Sequence, residues 1–297
     1  MHAIGIDIGG TQVKGVLINE NGTILHCVQR ETRQQDNSQW KNMVAEVWQL
    51  LQAISGSSAV PLGIAAPGLA SEGNKSITLM PGRLQGLENF IWSDFLHTPT
   101  RVLNDAHAAL IAEAAFGAGK GFRHILLLTL GTGVGGGMMI DGHLHQGMLN
   151  RAGHLGHVTL DADNDTLDIT LMPASLEDAI GDCTIQQRSF GKFKSTYDLI
   201  QAYKAEETLA SYVWLHSVKR LSVALCSFIN MVSPEIIILG GGISLAGDAL
   251  FKPLNTFMDI FEWRIANQRT PVLPTVLNEY SGAVGAAVFA MQSPSIS

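Results

Sequence analysis

The sequence predicts an α/β protein in which one unit, a mixed β-sheet with a covering helix, occurs twice. Residues 3–8 (AIGIDI) form an apolar run that ends at Gly9 and Gly10 and is followed by a second apolar run, VKGVLI. Residues 124–144 repeat this order of apolar run, glycine-rich turn and apolar run. Runs of this kind, bounded by turn residues, predict paired strands. Two similar halves favour two domains that face each other across a central cleft.

Each half also contains a helix that leads into a further strand. Between 39 and 54 apolar residues recur at helical spacing, and the chain continues into the apolar run VPLGIAAPG. Between 209 and 231 a longer helical pattern leads into EIIILGGGI. A last helical segment, 283–292, follows Gly282. These elements complete the two α/β units.

The chain is expected to divide near the glycine-rich stretch GAGKGF at 117–122. This stretch is a hinge rather than a tether, because no long linker rich in Pro, Gly and Ser is found. We expect a small domain at 1–117 and a large domain at 118–282. The final helix at 283–292 is expected to pack back on the small domain.

The bulk composition is that of a globular protein and excludes several classes of partner. The 297 residues are 46% hydrophobic and 15% charged, which is enough to build a sizeable core. The net charge is -7 and no long basic run is present, so nucleic acid is not expected as a partner. No apolar run approaches the length of a membrane span, and the start of the sequence does not resemble a signal peptide. We therefore expect a cytoplasmic protein without a membrane partner.

A glycine loop, DIGGT, joins the first two predicted strands through Asp7, Gly9, Gly10 and Thr11. The backbone N–H groups of such a loop can point inward, because glycine adopts conformations that other residues resist, and polyphosphate oxygens fit such a nest. Asp7 would repel phosphate unless a divalent cation lay between them, so its position predicts Mg²⁺, bound through water. An ordinary glycine hairpin is the alternative for this loop taken alone.

Two more glycine clusters, LGTGVGGG and LGGGI, follow later apolar runs. Two glycine loops that face each other would hold one nucleotide from opposite sides, whereas the last cluster would let the backbone approach a purine or ribose. A helix entry packed against a sheet is the alternative for that last cluster. None of these loops is a Walker A loop or a GxGxxG dinucleotide fingerprint, because there is no GKS or GKT sequence and no acidic residue in the expected place. The residues expected to bind nucleotide here are Gly131, Thr132, Gly133, Gly240, Gly241 and Gly242.

Five motifs together resemble the ROK family of sugar kinases. They are DIGGT at 7–11, APG at 66–68, NDAHAA at 104–109, LTLGTGVGGG at 128–137 and LGGGI at 239–243. The resemblance implies a two-domain, actin-like ATPase (ribonuclease H-like) fold with duplicated mixed sheets around a central cleft. It also implies glucokinase-like phosphorylation of a hexose hydroxyl, at the 6-position, with ATP and Mg²⁺ as cofactors. A homodimer is expected from the resemblance alone.

The resemblance assigns roles to residues of the NDAHAA and APG motifs. Asp105 matches the catalytic base, which takes the proton from the attacking sugar hydroxyl, and a carboxylate between a strand end and a helix is well placed for that task. The structural alternative for Asp105 is an N-cap of the helix that begins near Ala106. Asn104 and Gly68 match sugar-contacting positions. The loops at Asp7 and Gly131 match the two phosphate sites.

The segment RAGHLGHVTL resembles a family stretch in which a glutamate and a histidine both contact the sugar. His157 matches the histidine, with a core or surface histidine as its alternative. His154 stands at the glutamate position, which replaces an acceptor with a ring that can donate and puts a preference for glucose in doubt. Glu177 matches a second sugar-binding glutamate, with a solvated carboxylate at a helix start as its alternative.

Many family members carry a CxCGxxGCxE knuckle that binds structural zinc, and this chain does not. The stretch MPASLEDA at 172–179 resembles the end of that knuckle, but Ser175 stands where a cysteine would be. Without three thiolates a tetrahedral zinc site cannot be assembled, so no zinc is expected. The region 161–196 gives no readable periodicity.

Two further functions remain open beside a glucokinase. One is a kinase for N-acetylglucosamine or N-acetylmannosamine, motivated by His154. The other is a non-catalytic sugar-binding regulator, because some relatives are repressors. Those relatives carry a helix-turn-helix ahead of the DxGGT loop, whereas Asp7 lies close to Met1, so a regulator is the less favoured expectation.

Overall fold

A computed structural model describes residues 1–31, 40–57, 59–80 and 84–292 of the chain. The chain divides into two compact units that alternate along the sequence. The first unit comprises Met1–Phe122, Gly137–Gly153 and Thr275–Ser297, and the second comprises Arg123–Gly136 and His154–Pro274. The domain boundaries expected at 117/118 and 282 stay a prediction. No described helix is both long and apolar enough to cross a membrane.

The elements follow the predicted alternation of strands and helices. The described strands are β1 His2–Ile8, β2 Gln12–Asn19, β3 Ile24–Glu31, β4 Leu62–Ala66, β5 Leu69–Ala70, β6 Ile77–Leu79, β7 Thr100–Asn104, β8 Ile125–Leu130, β9 Val134–Ile140, β10 His143–Leu144, β11 Ile236–Gly240 and β12 Val272–Pro274. The described α-helices are α1 Trp40–Ser55, α2 Trp92–Leu96, α3 Asp105–Phe116, α4 Leu176–Ile180, α5 Ile185–Arg188, α6 Thr196–Lys204, α7 Thr208–Val232, α8 Asp248–Phe261 and α9 Ser281–Met291. The first residue of the helix predicted from 39 lies outside the described residues.

The first unit contains a five-stranded sheet of order β3-β2-β1-β4-β7. Strands β1, β2 and β3 form an antiparallel meander, and β4 and β7 run in the same direction as β1. Helix α1 covers one face, where a Cβ at Gly15 of β2 would lie 2.3 Å from Cγ1 of Val47. Because β1, β4 and β7 are parallel, their carboxyl ends share one edge of the sheet.

Helix α9 lies against the backbone of β1 and β4 in the first unit. A Cβ at Gly5 or Gly63 would lie 1.8 or 1.9 Å from carbonyl oxygens of α9. Helix α3 approaches α9 equally closely, since a Cβ at Gly285 would lie 1.7 Å from the carbonyl oxygen of Ala108. Glycine is therefore required at these three positions by close approach of backbones. The contact fixes the starts of α3 and α9 relative to the carboxyl edge of the sheet.

The second sheet has the order β10-β9-β8-β11-β12. In the second unit, β8, β11 and β12 are parallel, and β8 and β11 are almost entirely apolar, as expected for strands buried on both faces. The hairpin between β9 and β10 turns at Asp141 and Gly142, both with positive φ, as the Asp-Gly sequence predicts. The glycine clusters at 131–133 and 241–242 directly follow β8 and β11.

Candidate functional site

Three predicted residues meet at the carboxyl edge of the sheet in the first unit. Asp7 pairs with Ala65 near the end of β1, and Asn104 pairs with Ala66 at the end of β7. Gly68 follows β4 and is held by a 2.9 Å hydrogen bond from Nδ2 of Asn104 to its carbonyl oxygen. The carboxyl edge of parallel strands is where open α/β sheets bind ligands. The sheet therefore assembles a candidate site from residues far apart in sequence.

Asn104, not Asp105, is the N-cap of α3. Its Oδ1 accepts hydrogen bonds from the backbone amides of Ala106 and His107 at 2.9 and 3.2 Å. The structural alternative for Asp105, an N-cap, is thus wrong because the preceding amide side chain already fills that role. Asp105 is the first helical residue, and its Oδ1 accepts a 2.8 Å bond from Ala106 N. This bond orients the carboxylate at the helix N-terminus.

Asp7 lies in an environment that opposes its negative charge. Burial, followed by the charge of Asp105, raises the pKa of Asp7 to about 7, although the Lys14 ammonium acts in the opposite direction. Lys14 in turn contacts Oε2 of Glu279 at 2.8 Å. The start of α9 lies close to the same carboxylate, because a Cβ at Gly282 would lie 2.6 Å from Oδ2 of Asp7. Two neighbouring carboxylates thus share the edge of the sheet.

The glycines of the first loop do not use their conformational freedom. The loop is closed by a 2.9 Å hydrogen bond from Gly9 N to the carbonyl oxygen of Gln12. Neither Gly9 nor Gly10 has a positive φ, so the expectation that the loop depends on unusual glycine conformations is wrong. A Cβ at Gly10 would meet no atom within 4 Å. Gly10 thus leaves open space over the loop, next to Thr11, whereas a Cβ at Gly9 would lie 3.1 Å from the carbonyl oxygen of Gln12.

The loop at 131–133 in the second unit is anchored by the segment at 182–183. The carbonyl oxygens of Gly131 and Thr132 accept hydrogen bonds from the amides of Asp182 and Cys183 at 2.9 and 2.8 Å. Within the described residues the amides of Thr132 and Gly133 donate to no protein acceptor, which leaves them available to an anion. A Cβ at Gly131 would meet no atom within 4 Å.

The last glycine cluster contains one position with a strict glycine requirement. Gly241 has φ +81°, and a Cβ there would lie 2.3 Å from the carbonyl oxygen of Leu130. Gly240 ends β11, and a Cβ at Gly242 would meet nothing within 4 Å. A short 3-10 turn, Gly242–Ala246, then leads to α8. The cluster thus combines a packed glycine with an open one at the carboxyl edge of the second sheet.

His154 and His157 flank a short 3-10 turn in the second unit. Burial, and then the nearby charge of His157, lowers the pKa of His154 to about 4. His154 is therefore neutral at physiological pH and offers one donor and one acceptor. His157 places Nδ1 3.0 Å from Oδ2 of Asp168. The two rings lie close enough to influence each other electrostatically.

Glu177 is the second residue of α4, whose N-cap is Ser175. Ser175, which stands where the zinc knuckle of other family members has a cysteine, thus caps a helix. Oε2 of Glu177 accepts a 2.9 Å hydrogen bond from Val134 N, so the solvated carboxylate considered as its alternative is not what the structure has. Its carboxylate also lies near the side chains of His157 and Asp168, with candidate ligand atoms of the three within 4.8 Å of one another.

Asp168 is a site residue that the sequence reasoning missed. Its side chain is 0% exposed and it lies in the segment without readable periodicity. An isolated acidic residue among exposed neighbours gives no periodic signal, because its partners are chosen by the turn that it forms. The structure brings Asp7, Gly68, Asn104 and Asp105 together in the first unit. In the second unit it brings the loop at 131–133 together with Glu177, His157 and Asp168.

Comparisons with known proteins find sugar kinases of one family. The model of the ROK family matches residues 3–293. A glucokinase of Thermotoga maritima is 30% identical over 310 aligned positions, covering 97% of this chain and 96% of the relative. An N-acetylmannosamine kinase of Vibrio cholerae is 30% identical over 253 positions, covering 83% and 85%.

The solved structures show the same fold. The crystal structure of a ROK family glucokinase from Streptomyces griseus, in complex with glucose and AMPPNP, has a TM-score of 0.83 at 23% identity and covers 99% of this chain and 100% of its own. The predicted α/β, actin-like ATPase fold is thereby confirmed. The family match over nearly the whole chain and the 30% identity to the Thermotoga maritima glucokinase show that the chain belongs to the ROK family and is one of its sugar kinases.

Proposed function

We propose that this kinase transfers the γ-phosphoryl group of ATP to a hexose, at the 6-hydroxyl, in the manner of a glucokinase. The observation that carries the proposal is that the carboxylates of Asp105 and Asp7 lie near each other at one edge of the first sheet. A sugar hydroxyl and a metal-bound phosphate both need a carboxylate there, one as base and one as cation ligand. The glucokinase from Thermotoga maritima supports glucose as the acceptor.

In the proposed reaction, Asp105 is the general base. Its carboxylate accepts the hydroxyl proton while the sugar oxygen bonds to the γ-phosphorus, and the bond to the bridging oxygen of ADP breaks. The bond from Ala106 N holds Oδ1 in place at the helix start. Gly68, Asn104, His154, His157 and Glu177 are proposed to bind the sugar, and positioning by such groups supplies much of the rate in phosphoryl transfer.

Mg²⁺ fits the donor set around Asp7. A half-buried carboxylate with a raised pKa beside a second carboxylate is relieved by a divalent cation, and oxygen ligands suit Mg²⁺. Asp7 would hold the ion, through water, and the ion would neutralise charge on the transferring phosphate. The loop containing Gly9, Gly10 and Thr11 would contribute space and backbone donors to the same phosphates.

The second unit is proposed to bind the rest of the nucleotide. The amides of Thr132 and Gly133 would donate to phosphate oxygens, with Gly131 leaving the approach open. The cluster at Gly240–Gly242, which is open at Gly242, would lie against ribose or adenine. The complex of a relative with glucose and AMPPNP supports one sugar and one nucleotide as the ligands.

A kinase for an N-acetylated hexosamine is the second candidate. The observation that favours it is His154, whose lowered pKa makes the ring a neutral donor and acceptor where the family has a glutamate. The N-acetylmannosamine kinase of Vibrio cholerae supports this candidate. An amide substituent on the sugar offers both a donor and an acceptor, which a neutral imidazole can match and a carboxylate cannot.

A coupled ADP-release assay with Mg-ATP distinguishes these candidates. Glucose, mannose, N-acetylglucosamine and N-acetylmannosamine are compared, with Asp105→Asn as the blank. Turnover on glucose that vanishes in the blank supports the first candidate, and preference for an N-acetylated sugar supports the second. Absence of turnover on any sugar that binds measurably would favour the sugar-binding regulator.

A cytoplasmic homodimer completes the proposal. It rests on the resemblance to the family. Light scattering after size exclusion checks it, since a monomeric mass at micromolar concentration would contradict the dimer.

A further inference from the structure

Asp168 is the centre of the hydrogen bonds that order the segment 159–175. Its Oδ2 lies 3.0 Å from Nδ1 of His157, and its Oδ1 accepts bonds from the amide of Thr170 at 2.7 Å and the amide of Met172 at 3.0 Å. The hydroxyl of Thr170 adds a fourth bond, 2.7 Å from Oδ1. Isolated antiparallel β-bridges, which pair Thr159 with Ser175 and Leu167 with Pro173, close the same segment. One buried carboxylate thus holds a turn and a histidine at once.

Hydrogen bonds stabilise the ionised form of the Asp168 carboxylate. Burial alone would raise the pKa of Asp168, but the bonds from His157, Thr170 and Met172 outweigh it and lower the pKa to about 2. An ionised carboxylate can only accept hydrogen bonds. The ring nitrogen that faces it must therefore carry a proton.

Thr170 reinforces the same orientation of the histidine. Its hydroxyl oxygen lies 3.2 Å from Nδ1 of His157 and 2.7 Å from Oδ1 of Asp168. Because the hydroxyl has one proton and the carboxylate has none, the hydroxyl donates to Asp168 and turns a lone pair toward Nδ1. Both neighbours of Nδ1 are thus acceptors. In the neutral ring the remaining nitrogen, Nε2, keeps its lone pair.

We propose that Asp168 is a positioning residue that fixes the Nδ1–H tautomer of His157, so that Nε2 accepts a hydrogen bond from a sugar hydroxyl. The sugar contact rests on the proposed function, whereas the tautomer does not. The His157 side chain is 27% exposed, so part of the ring reaches solvent or a ligand while Asp168 stays covered. The Asp168 carboxylate orders the segment 159–175 and also orients the His157 ring, so the folding of the segment and the orientation of the ring depend on the same group. The arrangement uses only protein groups of the second unit.

Asp168→Asn is the sharpest variant, because the amide keeps the shape of the side chain. Its oxygen can still accept from Thr170 and Met172, but its NH₂ group would face Nδ1 of His157. The proton of the ring should then move to Nε2, which becomes a donor. We expect the sugar KM to rise roughly 10- to 100-fold with kcat changed less than about threefold, because the lost bond acts on bound substrate and transition state alike.

The tautomer is read directly by long-range ¹⁵N–¹H NMR without sugar or ATP, at a pH where the ring is neutral by its own titration. The His157 signals are assigned by their loss in His157→Gln. The wild type should carry the proton on Nδ1 and Asp168→Asn on Nε2, and the matched control Asp165→Asn, an exposed acid of the same segment, should change neither spectrum nor KM.

A wild-type ring protonated on Nε2 would overturn the proposal, even if Asp168→Asn failed to fold. An unchanged sugar KM in a folded Asp168→Asn protein with the shifted proton would overturn its binding part. A protein without turnover on any sugar would sink the proposed function but not the tautomer, so the two failures are distinguishable.

Discussion

Glu177 covers Gly133 so closely that a Cβ at Gly133 would lie 2.1 Å from Oε2 of Glu177. The same oxygen accepts the 2.9 Å hydrogen bond from Val134 N. Gly133 does not have a positive φ, so a side chain at this position is opposed by the carboxylate and not by the backbone conformation. This contact joins α4, where sugar binding is proposed, to the loop where phosphate binding is proposed.

Gly133→Ala should push the Glu177 carboxylate away from Val134 N. We expect a loss of about 1–3 kcal/mol in the free energy of unfolding, as for other overpacked sites, measured by urea denaturation. Gly131→Ala is the matched control, because a Cβ there meets no atom within 4 Å, and it should change the value by less than about 0.5 kcal/mol.

The clash predicts non-additivity with Glu177→Ala. The double variant Gly133→Ala/Glu177→Ala should lose less stability than the sum of the two single variants, because the new methyl group then enters vacated space. Strict additivity would show that Glu177 does not constrain the loop.

Glu113, which no sequence motif singles out, should be important for the stability of the fold. Its side chain is buried, with Oε1 accepting from the amides of Val276 and Leu277 at 2.9 Å and Oε2 accepting from Ala118 N at 2.8 Å. In Glu113→Gln the NH₂ group faces an amide donor, so we expect a loss of about 1–3 kcal/mol by thermal or urea unfolding. The exposed Glu46→Gln is the control, and equal stability of the two variants would contradict the account.

The raised pKa of Asp7 predicts a pH-dependent gain from Asp7→Asn. The folded pKa, about 7, exceeds the ordinary value of 3.8, so the folded protein binds more protons than the unfolded chain between these values and wild-type stability falls as pH rises through that window. The variant has no such charge. Without Mg²⁺ and ATP, its advantage in Tm should therefore widen from pH 4 to pH 7 and stay constant above, at roughly 2–4 °C per kcal/mol. An advantage that is independent of pH would contradict a raised pKa.

The sequence predicts elements whose signal is local and leaves out those fixed by distant partners. Apolar runs with glycine turns identify β1, β2, β8 and β11, because burial on both faces demands continuous hydrophobicity. The segment around Asp168 could not be read, since its order comes from bonds to a histidine eleven positions away.

The candidate site shows the same limit. Asp105 and Asn104 are visible in one motif, but which of them caps α3 depends on side-chain direction and not on residue type. Glu177 accepts its hydrogen bond from Val134 N, which lies 43 positions away in the sequence. Spacing alone therefore cannot show the contact between Glu177 and the glycine loop.

His154→Glu should shift the sugar preference toward glucose. The carboxylate offers acceptors only, whereas the neutral ring of His154 offers a donor as well. We expect the ratio of kcat/KM for glucose to that for N-acetylmannosamine to rise about tenfold or more, as for the loss of one matched polar contact. His154→Gln keeps a donor and an acceptor and should preserve the wild-type ranking. The same ratio in the wild type and the Glu variant would remove His154 from the determinants of specificity.

The central claim is that Asp105 is the base of a sugar kinase, and Asp105→Asn tests it most directly. Its turnover is measured by coupled ADP release on the best sugar, and its sugar affinity by calorimetry, with the exposed Asp94→Asn as control. We predict a fall in kcat of about 10²-fold or more with nearly unchanged sugar affinity, because only proton transfer is lost. Turnover within about threefold of the wild type would contradict Asp105 as the base.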